Sequence, residues 1–250
     1  MELVLLTALG VGGATVIGSV IGFFFKKISH NFSDIILSFA AGVMLAAAVN
    51  GLIIPSLEQS GKWAIPMTIG GIFVGAICLN LIDKVVPHMH QFVGANIDGQ
   101  NHNDKLNKVL LFVTAIAIHN LPEGLAAGVG FGSGDTSHAL LIAGGIALQN
   151  IPEGMVIIAP MLAAGVSPRR TFVCAMITGL VEVVGTLIGY LAISVSTAIL
   201  PFALSFAGGT MLYVISDEMI PETHSHGSHR AATYSLLIGF SSMLVFDILL

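Results

Sequence analysis

Two copies of one short motif carry most of the chemistry this chain can offer. His119-Asn120-Leu121-Pro122-Glu123-Gly124 is followed thirty positions later by Gln149-Asn150-Ile151-Pro152-Glu153-Gly154. Both copies lie inside long apolar runs. Residues four apart share one face of an α-helix. His119 and Glu123 therefore point one way, as do Gln149 and Glu153, and Asn120 and Asn150 flank those faces three residues before the same glutamates. A third acid, Glu182, stands in the apolar run Gly179-Leu180-Val181-Glu182-Val183-Val184-Gly185.

All nine Lys and Arg residues lie in or beside the connections between apolar runs, so no helix cation neutralises these three acids. An ionised acid at the centre of a bilayer costs about 2.5–3.5 kcal/mol on insertion scales. Such a group must protonate, line water or bind a cation. Nitrogen and oxygen donors from His119, Asn120, Gln149 and Asn150 favour the cation. One imidazole, amides and carboxylates suit a divalent ion of borderline hardness: Zn2+, Fe2+, Mn2+ or Co2+. No thiolate joins the set, which argues against a structural zinc site. Amides are weak ligands, and weak ligands allow release. Pro122 and Pro152 cannot donate to the carbonyls of Ile118 and Leu148, which adds backbone oxygens to the donors. Intramembrane polar residues also serve simply to hold helices together. Two pairs at i,i+4 with an unpaired third acid exceed what that role needs.

The elements that must position these groups follow from composition. Of 250 residues, 55% are hydrophobic and 9% charged, where a soluble domain carries roughly a quarter charged residues. The mean hydropathy is +0.92. The chain is therefore read as an all-α polytopic membrane protein. A helix needs about 20 apolar residues to cross a bilayer. Eight stretches qualify, at roughly 3–25, 34–54, 63–82, 106–130, 137–162, 170–194, 200–220 and 232–250. They form a single transmembrane domain over residues 1–250. Lys26 and Lys27 follow the first run rather than precede it, so that run reads as a retained span. Cys78 and Cys174 sit in apolar runs and read as packing residues.

The connections sort by charge. The odd-numbered ones carry Lys26, Lys27, Lys84, Lys105, Lys108, Arg169, Arg170 and Arg230, whereas the even ones and the termini carry only Lys62. The positive-inside rule puts the odd connections in the cytoplasm and both termini outside. The longest connection, 84–105, holds His88, His90 and His102; the last, 221–231, holds His224, His226 and His229. These histidines read either as solvated surface or as weak, exchangeable metal ligands at an exit.

An internal repeat is visible. Ser38-Phe39-Ala40-Ala41-Gly42-Val43-Met44-Leu45 matches Ser205-Phe206-Ala207-Gly208-Gly209-Thr210-Met211-Leu212 at six of eight positions, at an offset of 167. The same offset is expected to carry spans one to three onto spans six to eight. Those spans cross in opposite directions, so the repeat is inverted, a mark of transporters with a site near the midplane. Spans four and five, with the twin motifs, form a central inverted pair.

His-Asn-Leu-Pro-Glu-Gly followed by Asn-Ile-Pro-Glu-Gly resembles the fourth and fifth spans of the ZIP family (Zrt-/Irt-like proteins), which move divalent metals into the cytoplasm. Eight spans, outward termini and the His-bearing connection after span three agree with that family, and the short loops are similar to a prokaryotic, GufA-like branch. The resemblance implies a binuclear metal centre halfway across the plasma membrane. His119, Glu123, Gln149 and Glu153 would form one site. Asn120, Glu123, Asn150, Glu153 and Glu182 would form the other, with bridging glutamates. It further implies an exit route through Asp83, His88, His90, Asp217 and Glu218, and an outer gate at Met44. Zn2+ is the expected cargo, with Cd2+, Fe2+ and Mn2+ beside it, no further cofactor, and a homodimer as the assembly. Many members have histidine where this chain has Gln149, and some have aspartate at Asn150, which bears on zinc selectivity.

Two rival readings share some of these features. An intramembrane metal hydrolase would use His119 and two carboxylates to activate water. No His-Glu-x-x-His helix is present, nor a nucleophile beside a base. A proton-coupled carrier of another solute fits the acids, but one Trp and three Tyr offer little for an aromatic-lined pocket.

Overall fold

The computed structural model describes residues 1–25, 29–59, 61–85, 102–227 and 229–249. Helix α1 is Glu2–Phe24. Helix α2 runs from His30–Ala46 through a π-helical stretch, Ala47–Ile53, into Ile54–Gln59. Next come α3 (Ala64–Val85), α4 (His102–Gly130), α5 (Thr136–Ala163) and α6 (Pro168–Val195). Helix α7 repeats the pattern of α2, with Leu200–Val214, a π-helical stretch Ile215–Met219 and Ile220–Thr223; α8 is His229–Leu249. Among the described residues there is no strand.

Seven of these helices are long and apolar enough to cross a membrane among the described residues. The other, α4, has 29 residues, more than the about 20 a span requires. Helix starts are set by local chemistry. The Ser29 side chain accepts from the Phe32 amide at 3.3 Å. That of Asp135 accepts from the amides of Ser137 and His138 at 2.9 and 3.3 Å. Pro168 opens α6, where its missing N–H costs nothing. Large apolar side chains such as Leu6, Leu9, Phe73, Leu191 and Ile238 are exposed on the outside, a surface suited to lipid. In its most apolar window α5 is 67% buried, against 22% for α3 and α8, so α5 is central and the other two peripheral.

The helices pair as an inverted repeat requires. A methyl group on Gly124 would fall 2.3 Å from the Glu182 carbonyl oxygen, and one on Gly128 would fall 2.1 Å from that of Thr186. Register advances together, so α4 and α6 run in the same direction. Helices α5 and α1 make the same contact: a methyl group on Gly154 would fall 2.1 Å from the Thr15 carbonyl oxygen, and one on Gly22 would fall 2.7 Å from that of Met155. Helices α1 and α6 cross on the symmetry axis itself. Gly12 and Gly179, which are 167 apart, each lie against the other's carbonyl oxygen.

One expectation is corrected. Gly239 of α8 meets the Phe39 carbonyl of α2, and Gly75 of α3 meets the Phe206 carbonyl of α7. Phe39 and Phe206 are 167 apart, but Gly75 and Gly239 are 164 apart. The offset of 167 therefore holds for the first two helix pairs and shifts for α3 and α8. Helix α7 ends at Thr223, 164 positions after Gln59 at the end of α2, so the three residues are missing from the last turns of α7 and the contact is conserved while the count changes.

Candidate metal centre

Both α4 and α5 continue as helix through Pro122 and Pro152, so the i,i+4 faces of the two motifs survive intact. Those faces meet. The Gln149 amide Nε2 donates to Glu123 Oε1 at 2.8 Å. His119 Nε2 lies 2.9 Å from Glu218 Oε1, which comes from the π-helical stretch of α7. Glu123 is buried and Glu153 half-buried. Glu153 is near enough to Glu123, Glu182 and His119 for their charges to interact.

Glu182 is fully buried and held by three donors from three helices. The Thr15 hydroxyl of α1 donates to Oε1 at 2.5 Å. The Asn120 amide donates to the same oxygen at 2.6 Å and to the Thr178 carbonyl at 3.2 Å. The Asn150 amide donates to Glu182 Oε2 and, at 3.3 Å, to the Val11 carbonyl. Val11 and Thr178 are 167 apart and Asn120 and Asn150 are 30 apart, so the two amides sit in equivalent places about one carboxylate.

Four acceptor oxygens are left over. Asn120 Oδ1, Asn150 Oδ1, Gln149 Oε1 and Glu123 Oε2 are all buried with no hydrogen-bond partner. An unpaired buried polar group costs about 1–3 kcal/mol, and four on two facing helices leave a concentration of lone pairs that only a donor or a cation would satisfy. Among the described residues, no three His, Cys, Asp or Glu side chains are gathered closely enough to hold an ion unaided. An ion held here would need the amide oxygens to complete its donor set.

The two ends of this centre differ. Beyond Glu123 along α4 and before Gln149 along α5, an apolar cluster closes the bundle: Ala126, Ala127, Ile142, Ile146, Leu204 and Met211, with Met44 at 1% exposure among them. Towards the other end, His119 is half-buried, Glu218 is nearly buried and Asp217 is exposed. Asp83 falls in the last turn of α3; His88 and His90 lie outside the described residues. Of the histidines after α7, His226 Nδ1 lies 3.2 Å from Asp34 Oδ1. His224 lies within hydrogen-bonding reach of the Ile220 carbonyl and of Thr233. Cys78 and Cys174 are free thiols.

Sequence reasoning overlooked Thr15 and placed Glu218 on an exit route rather than against His119. A signal for Thr15 existed. Gly12, Thr15, Gly18 and Gly22 have the same spacing as Gly179, Glu182, Gly185 and Gly189, so Thr15 occupies in α1 the place Glu182 occupies in α6. The π-helical stretches had no such signal, because the inserted turn leaves residue types unchanged.

Comparison with known proteins bears on what this arrangement does. The family model described as ZIP zinc transporter matches residues 97–247. The chain is 42% identical over 202 residues to the zinc transporter GufA of Myxococcus xanthus, covering 78% of each protein. It is 35% identical over 240 residues to the zinc transporter ZIPB of Bordetella bronchiseptica, covering 94% of this chain and 77% of that one. It is also 32% identical to the zinc transporter ZIP11 of Xenopus tropicalis, with 98% and 96% covered.

Proposed function

The chain belongs to the ZIP family, and from that premise we propose that zinc is its principal cargo and that the centre between α4 and α5 is where the ion is held on its way to the cytoplasm. Transport of divalent metal is the activity of this family, which is one of transporters rather than enzymes, so hydrolysis is not favoured. The observation that carries the site is the set of four unpartnered acceptor oxygens on Asn120, Glu123, Gln149 and Asn150. His119 and Glu153 complete a donor set of one imidazole, carboxylates and amides, which also admits Cd2+, Fe2+ and Mn2+. The family resemblance adds a second site of Asn120, Asn150 and Glu182, bridged to the first by Glu123 and Glu153, which would let the centre hold two ions.

A hydrated ion enters from the side of the apolar cluster, where Met44 and Met211 contribute thioethers, once those helices part. It exchanges water for Glu123, Glu153 and His119, then leaves past Glu218 and Asp217 towards Asp83, His88 and His90. The charge separation of the connections supports a plasma-membrane protein with both termini outside. A homodimer is the assembly we propose with it, on family resemblance. The test is uptake of labelled Zn2+, Cd2+, Mn2+ and Fe2+ into proteoliposomes with a pH gradient on and off. Saturable zinc uptake is expected; failure of all four ions to accumulate would overturn the reading.

A further inference from the structure

We propose that Asp34, Ser38 and His226 form a further divalent-metal site at the start of α2, apart from the centre between α4 and α5 and independent of it. Asp34 is 2% exposed and Ser38 is fully buried. They stand four apart, so they share one face of α2. Asp34 Oδ2 and Ser38 Oγ are both buried with no hydrogen-bond partner, so they do not bond each other either. The repeat supplies a control. Through the offset of 167, Asp34 and Ser38 correspond to Pro201 and Ser205 of α7. Ser205 donates its hydroxyl to the Pro201 and Phe202 carbonyls, as a helical serine ordinarily does. Ser38 makes no such bond, and one turn before it stands a carboxylate. An unpaired buried polar group costs about 1–3 kcal/mol. Two on one face call for a ligand that engages both.

His226 closes the third side from the turn between α7 and α8. That turn is fixed by its own bonds. The Ser225 amide donates to the Glu222 carbonyl at 3.1 Å, and Gly227, at φ 91°, reverses the chain directly after His226. The Ser235 hydroxyl donates to the Ile35 carbonyl at 2.6 Å and holds α8 on α2 one residue from Asp34. His226 Nδ1 thereby comes to 3.2 Å from Asp34 Oδ1. An ion pair accounts for that contact but leaves Asp34 Oδ2 and Ser38 Oγ unexplained. A metal ion accounts for all three. Donors about 2.0–2.1 Å from a tetrahedral ion stand about 3.3 Å from one another, close to the spacing of the imidazole and the carboxylate. One imidazole, one carboxylate and a hydroxyl suit borderline divalent ions. Among the described residues no third His, Cys, Asp or Glu joins them, so the site is weak and exchangeable.

The experiment is equilibrium binding of Zn2+ to detergent-purified full chain, compared among wild type, Asp34→Asn, His226→Gln, Glu123→Ala, and Asp34→Asn combined with Glu123→Ala. Asp34→Asn keeps the shape of the side chain and removes its charge. It is expected to lower the number of bound ions by one, both in the wild type and in the Glu123→Ala background. His226→Gln should weaken that ion at least tenfold, since even loss of an orienting partner costs about 10–100-fold. An unchanged count in Asp34→Asn, or unchanged affinity in His226→Gln, would overturn this site and leave the centre between α4 and α5 standing. An unchanged count in Glu123→Ala would overturn that centre and leave this site standing. Zinc-edge anomalous diffraction from wild-type crystals needs no variant to fold. A peak within about 2.5 Å of both the Asp34 carboxylate and His226 Nδ1 is expected. An ordered water bridging Asp34 Oδ2 and Ser38 Oγ, with no anomalous signal, would overturn the proposal.

Discussion

The two π-helical stretches occupy equivalent places in α2 and α7, yet they do opposite things. Through the offset of 167, Asn50-Gly51 of α2 corresponds to Asp217-Glu218 of α7. In α7 the widened turn delivers Glu218 to His119 at 2.9 Å. In α2 the same widening brings Gly51 against the side chain of Ile142, where a methyl group would fall 2.8 Å from Cγ1. One stretch thus sets a polar pair and the other lies against an apolar cluster. A backbone with near two-fold symmetry has no preferred direction. Here direction resides in side chains at equivalent positions: Glu218 against Gly51, His119 against Gln149, Glu182 against Thr15.

The strongest way to break the comparison is to remove what both halves share. Glu123 accepts from the α5 motif while belonging to α4, so it joins the two. Loss of a direct donor should cost at least the about 10–100-fold that loss of an orienting partner costs. Glu123→Ala is expected to lower zinc uptake into proteoliposomes about 100-fold at normal expression, and near-normal uptake would remove the glutamate from the path.

Symmetry of the scaffold itself is tested at the axis. A methyl group at Gly12 would fall 2.3 Å from the Gly179 carbonyl oxygen, and one at Gly179 would fall 2.5 Å from that of Gly12. Gly12→Ala and Gly179→Ala should destabilise by similar amounts, about 1–3 kcal/mol each, as overpacked contacts do. Gly13, with nothing within 4 Å of the added carbon, should tolerate Ala without loss. Thermal unfolding in detergent reads all three. Unequal losses at Gly12 and Gly179 would show that the crossing is not shared evenly.

Direction is tested at Glu218. Glu218→Gln keeps a hydrogen-bonding group beside His119 but removes its charge. Maximal uptake rate is expected to fall about tenfold, in the range for partners that orient a ligand, with a smaller change in the zinc concentration that half-saturates. If half-saturation moves more than the rate, Glu218 belongs to loading rather than to release.

Much of this architecture was legible in the residues because its period and spacing are physical constraints. Eight apolar runs of spanning length could only be helices, and the i,i+4 spacing of His119 with Glu123 brought the right groups to one face. The repeat was visible because α2 and α7 keep small residues wherever backbones touch. What escaped notice has its own cause. The π-helical turns alter register without altering composition, so the contact between His119 and Glu218 depends on a rotation that no residue type announces. The shift to 164 at the third helix pair arises at the end of α7, which stops three residues earlier than the offset of 167 requires, and where a helix end is trimmed no residue type announces it. Thr15 was missed because a hydroxyl in an apolar helix ordinarily bonds its own backbone, as Ser205 does with the Pro201 carbonyl at 2.9 Å.

The finest adjustment concerns the one place where the two motifs differ in donor type. Gln149 uses its nitrogen on Glu123 and presents an unpartnered oxygen, whereas His119 at the equivalent position presents imidazole. Gln149→His would make the two motifs alike and exchange an amide oxygen for a nitrogen. Zinc gains more from imidazole than manganese does, because manganese is the harder ion and stands lower in the divalent affinity order. Competition uptake of labelled Zn2+ against Mn2+ should then shift several-fold towards zinc, with total transport within about tenfold of wild type. The substitution also removes the donor to Glu123 Oε1, which frees that oxygen for the ion and reinforces the shift. An unchanged order of preference would mean that selectivity is decided by the shared groups, Glu123, Asn120 and Asn150, and that the asymmetry between His119 and Gln149 matters only for the path beyond them.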